Sequence, residues 1–462
     1  MPEKIHFAGQ AGHAFTHRLP RGAEIVYNFE NGYPAMIAII GAGLAGLSAA
    51  YHLKGREFRL FEKEARPGGL ARTEKQDGFL FDRAGHLLHF RDAKVKGWVQ
   101  ELLGDNWVAH ERRATIFSQG VETPYPFQAH TYGLPKETVR DCVQGFLEAC
   151  LQAERHLPAP DDLAGWFLHT FGEGFARHFF FPFNYKLWRR DLRELTADWV
   201  SWSVPRPSLS EVIAGAIGLQ TSRMGYNSTF LYPRRDGIES LPRALAAAVG
   251  KVETNREVVE AHPQEKMLVF EDGEKVRYRK VIATLPLPEL IRRIQGAPAE
   301  IQAAAQGLQQ VSVLCIHLGV AGPPISKQHW IYFPEPRFPF YRCGFYSNYY
   351  PAPAGRHSLV LELSLRPEEL ARRGPEIQES CLVAFRETGF LQSAHRVEHL
   401  SALALPYAYV IYDRHRSKHL PRLLAWLRGL EIYPAGRYAR WEYGTMEDAL
   451  SQGREAAAEV RG

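Results

Sequence analysis

Apolar and polar positions along the chain fall into blocks of distinct period. Residues 36–40 form a short unbroken apolar run, the pattern of a strand buried on both faces. Residues 44–54 continue as a helix of small and apolar side chains that Gly55 is placed to end. A second short strand over 58–61 follows, and residues 78–82 alternate as a half-buried strand. From Pro135 to Arg177 the period becomes helical, with Val139, Cys142, Val143, Phe146, Leu147 and Cys150 on one face. A helix over 241–249 is stopped by Gly250, and short strands at 258–259, 267–270 and 276–278 surround an Asp272-Gly273 turn. Residues 281–284 read as a return strand. Strands are expected over 311–318 and 358–365, with a helix over 376–388. Leu405-Pro406-Tyr407-Ala408-Tyr409 then precedes a basic loop running to Lys418. A strand over 432–438 leads to a last helix, opened in capping-box manner by Thr445-Met446-Glu447-Asp448.

The first strand, helix and second strand carry chemistry. Gly41, Gly43 and Gly46 give G-x-G-x-x-G, and Glu62 closes the second strand. The first glycine permits the tight turn, the second lets backbone approach a pyrophosphate, and the third lets helix and strand pack closely. The helix amino end then faces phosphate, and Glu62 can accept from a ribose hydroxyl. With every part in order, a dinucleotide site outweighs a glycine-rich turn. Gly68-Gly69 and Arg72-Thr73 follow Glu62 at the spacing of an E-x5-GG-x2-R-T extension. This resembles amine-oxidase-like FAD flavoproteins, in which the paired glycines pass the flavin's phosphates and Arg72 would supply a charge-assisted contact.

Composition narrows the class further. At 462 residues, 45% hydrophobic and 23% charged, the chain suits a globular enzyme of two or three units. A net charge of +5 is too weak to argue for nucleic acid. Five cysteines without a C-x-x-C pair suit a reducing cytoplasm and offer no metal site. The longest apolar run is the nucleotide motif, too short to span a membrane, and residues 1–34 lack the apolar block of a secretory leader.

The expected fold class is α/β: a Rossmann-like FAD-binding domain with a helical lobe and an antiparallel β-sheet substrate domain. Segments 36–94, 224–288 and 430–462 are expected to assemble the FAD-binding domain. Residues 95–223 would form the helical lobe, 289–429 the substrate sheet and its helices, and 1–35 an N-terminal extension. Gly85-His86, after a short strand, suits backbone lying against a flat ring, although a lone histidine is more often core. His86 and His89 have no further metal ligands nearby. Residues 179–188, the most aromatic stretch, place an asparagine, a lysine and a proline among rings, as a pocket wall would. Arg342 sits in an aromatic strand; it needs a buried acid if structural, and suits a bidentate phosphate contact if functional. The last helix can aim its positive end at the flavin pyrimidine and stabilise a reduced anionic ring.

Several blocks resemble UDP-galactopyranose mutases, especially the eukaryotic branch. They are Gly85-His86, Pro124-Tyr125-Pro126-Phe127-Gln128, Pro182-Phe183-Asn184-Tyr185-Lys186-Leu187-Trp188, Asp198-Trp199 and Asn227-Ser228-Thr229-Phe230. Tyr332-Phe333-Pro334, Phe340-Tyr341-Arg342, Phe345-Tyr346-Ser347-Asn348-Tyr349 and Gly436-Arg437-Tyr438 with Trp441 and Tyr443 belong to the same set. The resemblance implies FAD and a UDP-sugar held against it, with a reductant such as NAD(P)H priming the flavin. The implied chemistry is attack by reduced flavin N5 on the anomeric carbon, ring opening of the adduct, reclosure as a furanose, and return of UDP. His86 would lie near N5 and Arg342 would hold the pyrophosphate. Tyr407 and Tyr443 would be the phosphate-contacting tyrosines, completing a catalytic set of His86, Arg342, Tyr407 and Tyr443. Tyr125, Phe127, Gln128, Asn184, Tyr185, Trp188 and Asn227 would bind substrate. Gly85, Val259, Gly436, Arg437 and Met446 would join the glycine motif in holding the cofactor.

Two positions depart from that pattern. Phe181 stands where the family has an arginine, and Met446-Glu447 where its final motif carries an asparagine. Arg189 or Arg190 is a candidate to compensate for the missing arginine. An amine-oxidase or protoporphyrinogen-oxidase-like oxidoreductase is the alternative, with residues 179–183 as an apolar cage. A flavin-binding protein without turnover is the third reading.

Overall fold

The computed structural model describes residues 36–153, 160–200, 204–219, 228–372 and 376–461, with strand fragments between 16 and 34. Its nucleotide-side sheet has four parallel strands in the order Ile432–Pro434, Lys280–Ala283, Ile37–Ile40, Phe58–Phe61. The apolar run at its centre has a physical reason. Ile37 and Ile39 enter one hydrophobic core, while Met36, Ala38 and Ile40 enter another on the opposite face. Helix Leu44–His52 packs on the last helix, Met446–Arg461, where Ser48 donates its hydroxyl to the Leu450 carbonyl at 2.6 Å. A Cβ at Gly453 would lie 2.8 Å from the Ser48 Cβ, so the small residues let the two helices meet. Strands Val258–His262, Met267–Phe270 and Lys275–Arg277 form the meander beside this sheet.

A seven-stranded sheet closes the opposite side. Its order is Val121–Pro124, Ala114–Ser118, Trp330–Tyr332, Arg342–Phe345, Arg356–Leu365, Gln310–Ala321, Arg396–Val410. The antiparallel expectation needs correction: Ala114–Ser118 runs parallel to Trp330–Tyr332, so the sheet is mixed. Two of its strands come from the stretch expected to be helical. They turn at Gln119-Gly120, both at positive φ (55° and 78°), a hairpin signal that helix-period reasoning passes over.

Helices Lys136–Ala153 and Leu163–Phe175 make the helical lobe, followed by a π-turn over Ala176–Phe180 and helix Phe181–Trp188. The basic loop is also corrected. Residues 396–410 are a long strand, and Arg414–Gly429 is a helix capped by Asp413, which accepts from the Arg416 amide at 2.7 Å. Pro406 fits the strand because the register slips opposite it, between Val311 and Val313. No helix among the described residues is long and apolar enough to cross a membrane.

Candidate active site

A cleft of about 890 Å³ lies between the nucleotide sheet, the seven-stranded sheet and the helical lobe. Its floor is glycine backbone. Gly41 turns at φ +96°, where a Cβ would strike the Thr284 side chain. A Cβ on Gly46 would run into the Gly41 carbonyl, so this glycine serves helix–strand packing and does not line the cleft. Gly69 faces Gly43 so closely that a Cβ on Gly69 would lie 3.2 Å from the Gly43 Cα. The two glycine turns thus leave a backbone cradle without side chains.

Glu62 lines this cradle and pins it. One carboxylate oxygen accepts from the Ala42 amide at 2.8 Å and the other from the Glu64 amide at 3.0 Å. Arg72 does not take the role expected of it. Buried behind the loop, it is ion-paired to Glu64 and does not line the cleft. Arg83 reaches the cleft instead, paired with Glu74 at 3.2 Å and Glu64 at 3.3 Å. Glu64 and Glu74 hold Arg72 away from the cleft, a pairing invisible in a linear motif.

Above the cradle, Gly85, His86, Arg342 and Glu362 come together. His86 Nδ1 lies 2.9 Å from the Ala84 carbonyl, which can only accept. Nδ1 therefore carries the proton, and Nε2 is left as an acceptor. Burial pushes the His86 pKa down to about 4; the Ala84 contact opposes this, and Arg437 and Arg342 add to it. Arg342 Nη2 donates to both oxygens of Glu362, at 2.6 and 2.7 Å. Burial works against the Arg342 charge, but the Glu362 carboxylate holds its pKa well above the usual value. Gly85 is required here: a Cβ would stand 2.7 Å from that guanidinium nitrogen.

The tyrosine expectation is half corrected. Tyr407 lines the cleft but donates its hydroxyl to Glu289 at 3.1 Å and packs toward Tyr438 and Trp441. Tyr409, two residues on, is the ring that stacks on Tyr443, with centroids 6.3 Å apart and planes at 9°. These two rings continue into a wall of Trp188 and Trp199. Arg437 lies against Tyr409 and Tyr443, each ring centroid 5.0 Å away.

Tyr125, Gln128, Asn184, Trp188, Gly436 and Met446 all line the cleft. Gln128 donates to the Pro205 carbonyl at 2.6 Å; Asn184 donates to the Phe180 carbonyl and accepts from Trp188 Nε1. Phe127 is displaced to full burial behind the wall, stacked on Phe179. Tyr185 is 44% exposed on the outer side of its helix, because helical period places it a quarter-turn from Asn184. Val259 is 37% exposed and its neighbour Val258 faces the cleft, as strand alternation requires. Asn227 lies outside the described residues. Neither Phe181, Arg189 nor Arg190 lines the cleft, and Arg189 pairs with Glu369. Glu362 and Tyr409 are the site residues that motif reading missed. A lone acid in the apolar strand 358–365 was the available signal, since a buried carboxylate demands a partner.

The model of the family described as flavin containing amine oxidoreductase matches residues 44–461. The chain belongs to that family. It superposes on a crystal structure of reduced UDP-galactopyranose mutase with TM-score 0.85 and 28% identity, covering 93% of this chain and 94% of that one. Wild-type putrescine oxidase bound to putrescine gives TM-score 0.66 at 16% identity over 92% and 99% of the two chains, a likeness of fold alone. Tobacco mitochondrial protoporphyrinogen oxidase is 37% identical over 68 residues, and human prenylcysteine oxidase 1 is 38% identical over 88. Those matches span 14% and 18% of this chain and only 14% and 16% of the two relatives.

Proposed function

We propose that the protein binds FAD and acts as an isomerase resembling UDP-galactopyranose mutase, interconverting pyranose and furanose forms of a UDP-sugar. The observation that carries this reading is the ring of Arg342, Arg437, Tyr409 and Tyr443 set over Gly85-His86, polar groups suited to a diphosphate beside a flavin edge. The cradle fits the cofactor: Gly41, Gly43, Gly68 and Gly69 line the cleft as bare backbone, which lets a pyrophosphate come close. Gly41, Gly43, Gly68 and Gly69 would lie along the phosphates, and Glu62 beside the ribose. The amino end of helix Met446–Arg461 would face the pyrimidine edge. When bound and reduced, the flavin supplies a nucleophilic nitrogen.

The chain's own residues then have separable tasks. His86, neutral with Nε2 unprotonated, offers an acceptor without placing a positive charge at the flavin edge. Tyr409 and Tyr443 donate hydroxyls toward a leaving diphosphate and keep it within reach for return. The wall of Phe179, Phe183 and Trp188 excludes water and stacks on a base. The test is to mix dithionite-reduced protein with UDP-galactofuranose and resolve the products. Conversion to the pyranose by reduced protein, and none by oxidised protein, supports the reading; no conversion in either state overturns it.

The pairing of Arg342 with Glu362 favours a second reading, an FAD-dependent oxidoreductase of the amine oxidase or protoporphyrinogen oxidase type. A neutral ion pair under an aromatic wall is compatible with an apolar substrate. Oxygen uptake by oxidised protein with amines or porphyrinogens would select it.

A further inference from the structure

The half-buried arginines lining the cleft are compensated with one exception. Arg83 faces Glu64, Arg256 faces Glu274 at 2.6 Å, Arg293 faces Glu257 at 3.0 Å, and Arg342 faces Glu362 at 2.6 Å. Lys63 is exposed at the mouth. Arg437, half-buried like these four arginines, is the one without an acidic partner among the described residues. Its Nε and Nη2 are both buried without a hydrogen-bond acceptor. Its neighbours are the rings of Tyr409, Tyr443 and Tyr438, at 5.0, 5.0 and 5.6 Å. Ring faces attract a cation but cannot satisfy N–H donors in the guanidinium plane. A planar fork with two open donors, enclosed by hydroxyl-bearing rings, is built for an oxyanion.

We propose that Arg437 is the counter-ion for an anionic group of the substrate, a phosphate or a carboxylate held between Tyr409 and Tyr443. The inference rests on the reading that substrate sits over Gly85-His86, and it moves the principal anion contact away from Arg342. Glu362 already neutralises the Arg342 charge through Nη2, so an incoming anion there meets a compensated cation. Arg437 offers the uncompensated charge. The site accordingly presents one open positive charge, and suits an anion engaged chiefly through a single charged group.

Inorganic phosphate and pyrophosphate, titrated into flavin-loaded protein and followed by calorimetry and flavin absorbance, test this. Arg437→Ala should weaken phosphate binding by about thirty-fold or more, the scale of losing one side of a buried charge contact. Arg437→Lys should recover part of it, since a point charge lacks the fork. A double variant, Arg293→Met with Glu257→Gln, removes a compensated lining pair as a unit and should change phosphate binding by less than about threefold. Flavin content and melting temperature are read for each variant. Unchanged phosphate binding by flavin-loaded Arg437→Ala overturns the inference. So does recovery of both Arg437 variants as folded but flavin-free protein, which would assign the residue to the cofactor. If wild-type protein converts UDP-galactofuranose while Arg437→Ala keeps its anion affinity, this inference alone fails. If wild-type protein binds no anion, the UDP-sugar reading fails with it.

Discussion

Both carboxylate oxygens of Glu362 accept from one nitrogen, Nη2, of Arg342, and Tyr341 donates its hydroxyl to the same carboxylate at 2.6 Å. The pair is built by cross-strand register: Arg342 and Glu362 stand opposite one another on adjacent antiparallel strands. Glu362 is 2% exposed, so its charge depends on that guanidinium. Removing one partner leaves the other buried and uncompensated. Glu362→Ala is expected to lower stability by about 3–5 kcal/mol in chemical denaturation. Loss below about 1 kcal/mol would mean water already compensates Arg342.

Gly85 is packed against this ion pair, with 2.7 Å from an added Cβ to Arg342 Nη2 and 3.3 Å to Glu362 Oε1. Gly85→Ala should cost about 1–3 kcal/mol through displacement of the pair. Gly97, in helix Ala93–Leu103 with nothing within 4 Å of an added Cβ, is the control. Gly97→Ala should stabilise by about 0.5–1 kcal/mol. Equal melting shifts of the same sign would contradict this account.

Tyr409 and Tyr407 separate in function. Tyr409→Phe should reduce turnover of reduced protein about tenfold, the scale of one hydrogen bond to a charged group. Tyr407→Phe removes only a hydroxyl donated to Glu289 and should change turnover by less than about threefold. Steady-state kinetics of the two variants side by side decides it, and the reverse order would restore Tyr407 as the phosphate contact.

His86 should stay neutral through the physiological range. Burial lowers its folded pKa from 6.5 to about 4, so between those values the unfolded chain binds more protons than the folded one. The stability this group contributes is present above pH 6.5 and is lost as pH falls toward 4. A ring-proton NMR titration should show a midpoint near 4 for His86. A midpoint near 6.5 would refute the assignment of Nε2 as a standing acceptor.

Asp82 works in the opposite direction. It accepts hydroxyls from Thr73 and Tyr232, both at 2.7 Å, and burial raises its pKa from 3.8 to about 7. The folded state therefore holds the extra proton between those values. Its stabilisation is present below pH 3.8 and lost as pH rises to about 7. Asp82→Asn should flatten the fall in melting temperature from pH 5 to pH 7.5. A wild-type profile already flat over that range would show the carboxyl ionised throughout.

The nucleotide half of the site is legible in the chain because its parts are contiguous. Strand, turn, helix and second strand need only local order, and strands 37–40 and 58–61 stand where the apolar pattern puts them. The basic stretch 414–418 misleads because charge resembles a solvated loop; Asp413 makes it a helix by capping the Arg416 amide. Strand 396–410 is hidden by Pro406, tolerated only because the neighbouring strand slips register there.

What the sequence determined by itself is the backbone cradle. Gly41, Gly43, Gly68 and Gly69 act by lacking a side chain, and that property needs no partner to take effect. What only the tertiary structure decided is the standing of each charge. Arg72 is claimed by Glu64 and Arg342 by Glu362, while Arg437 is left to three tyrosine rings. An arginine's availability to a ligand depends on which carboxylate the fold brings within about 3 Å, because Coulomb attraction at contact in a buried site outweighs any preference written in a motif. Those partners come from other strands and distant loops, so packing assigns the cations and the local pattern cannot.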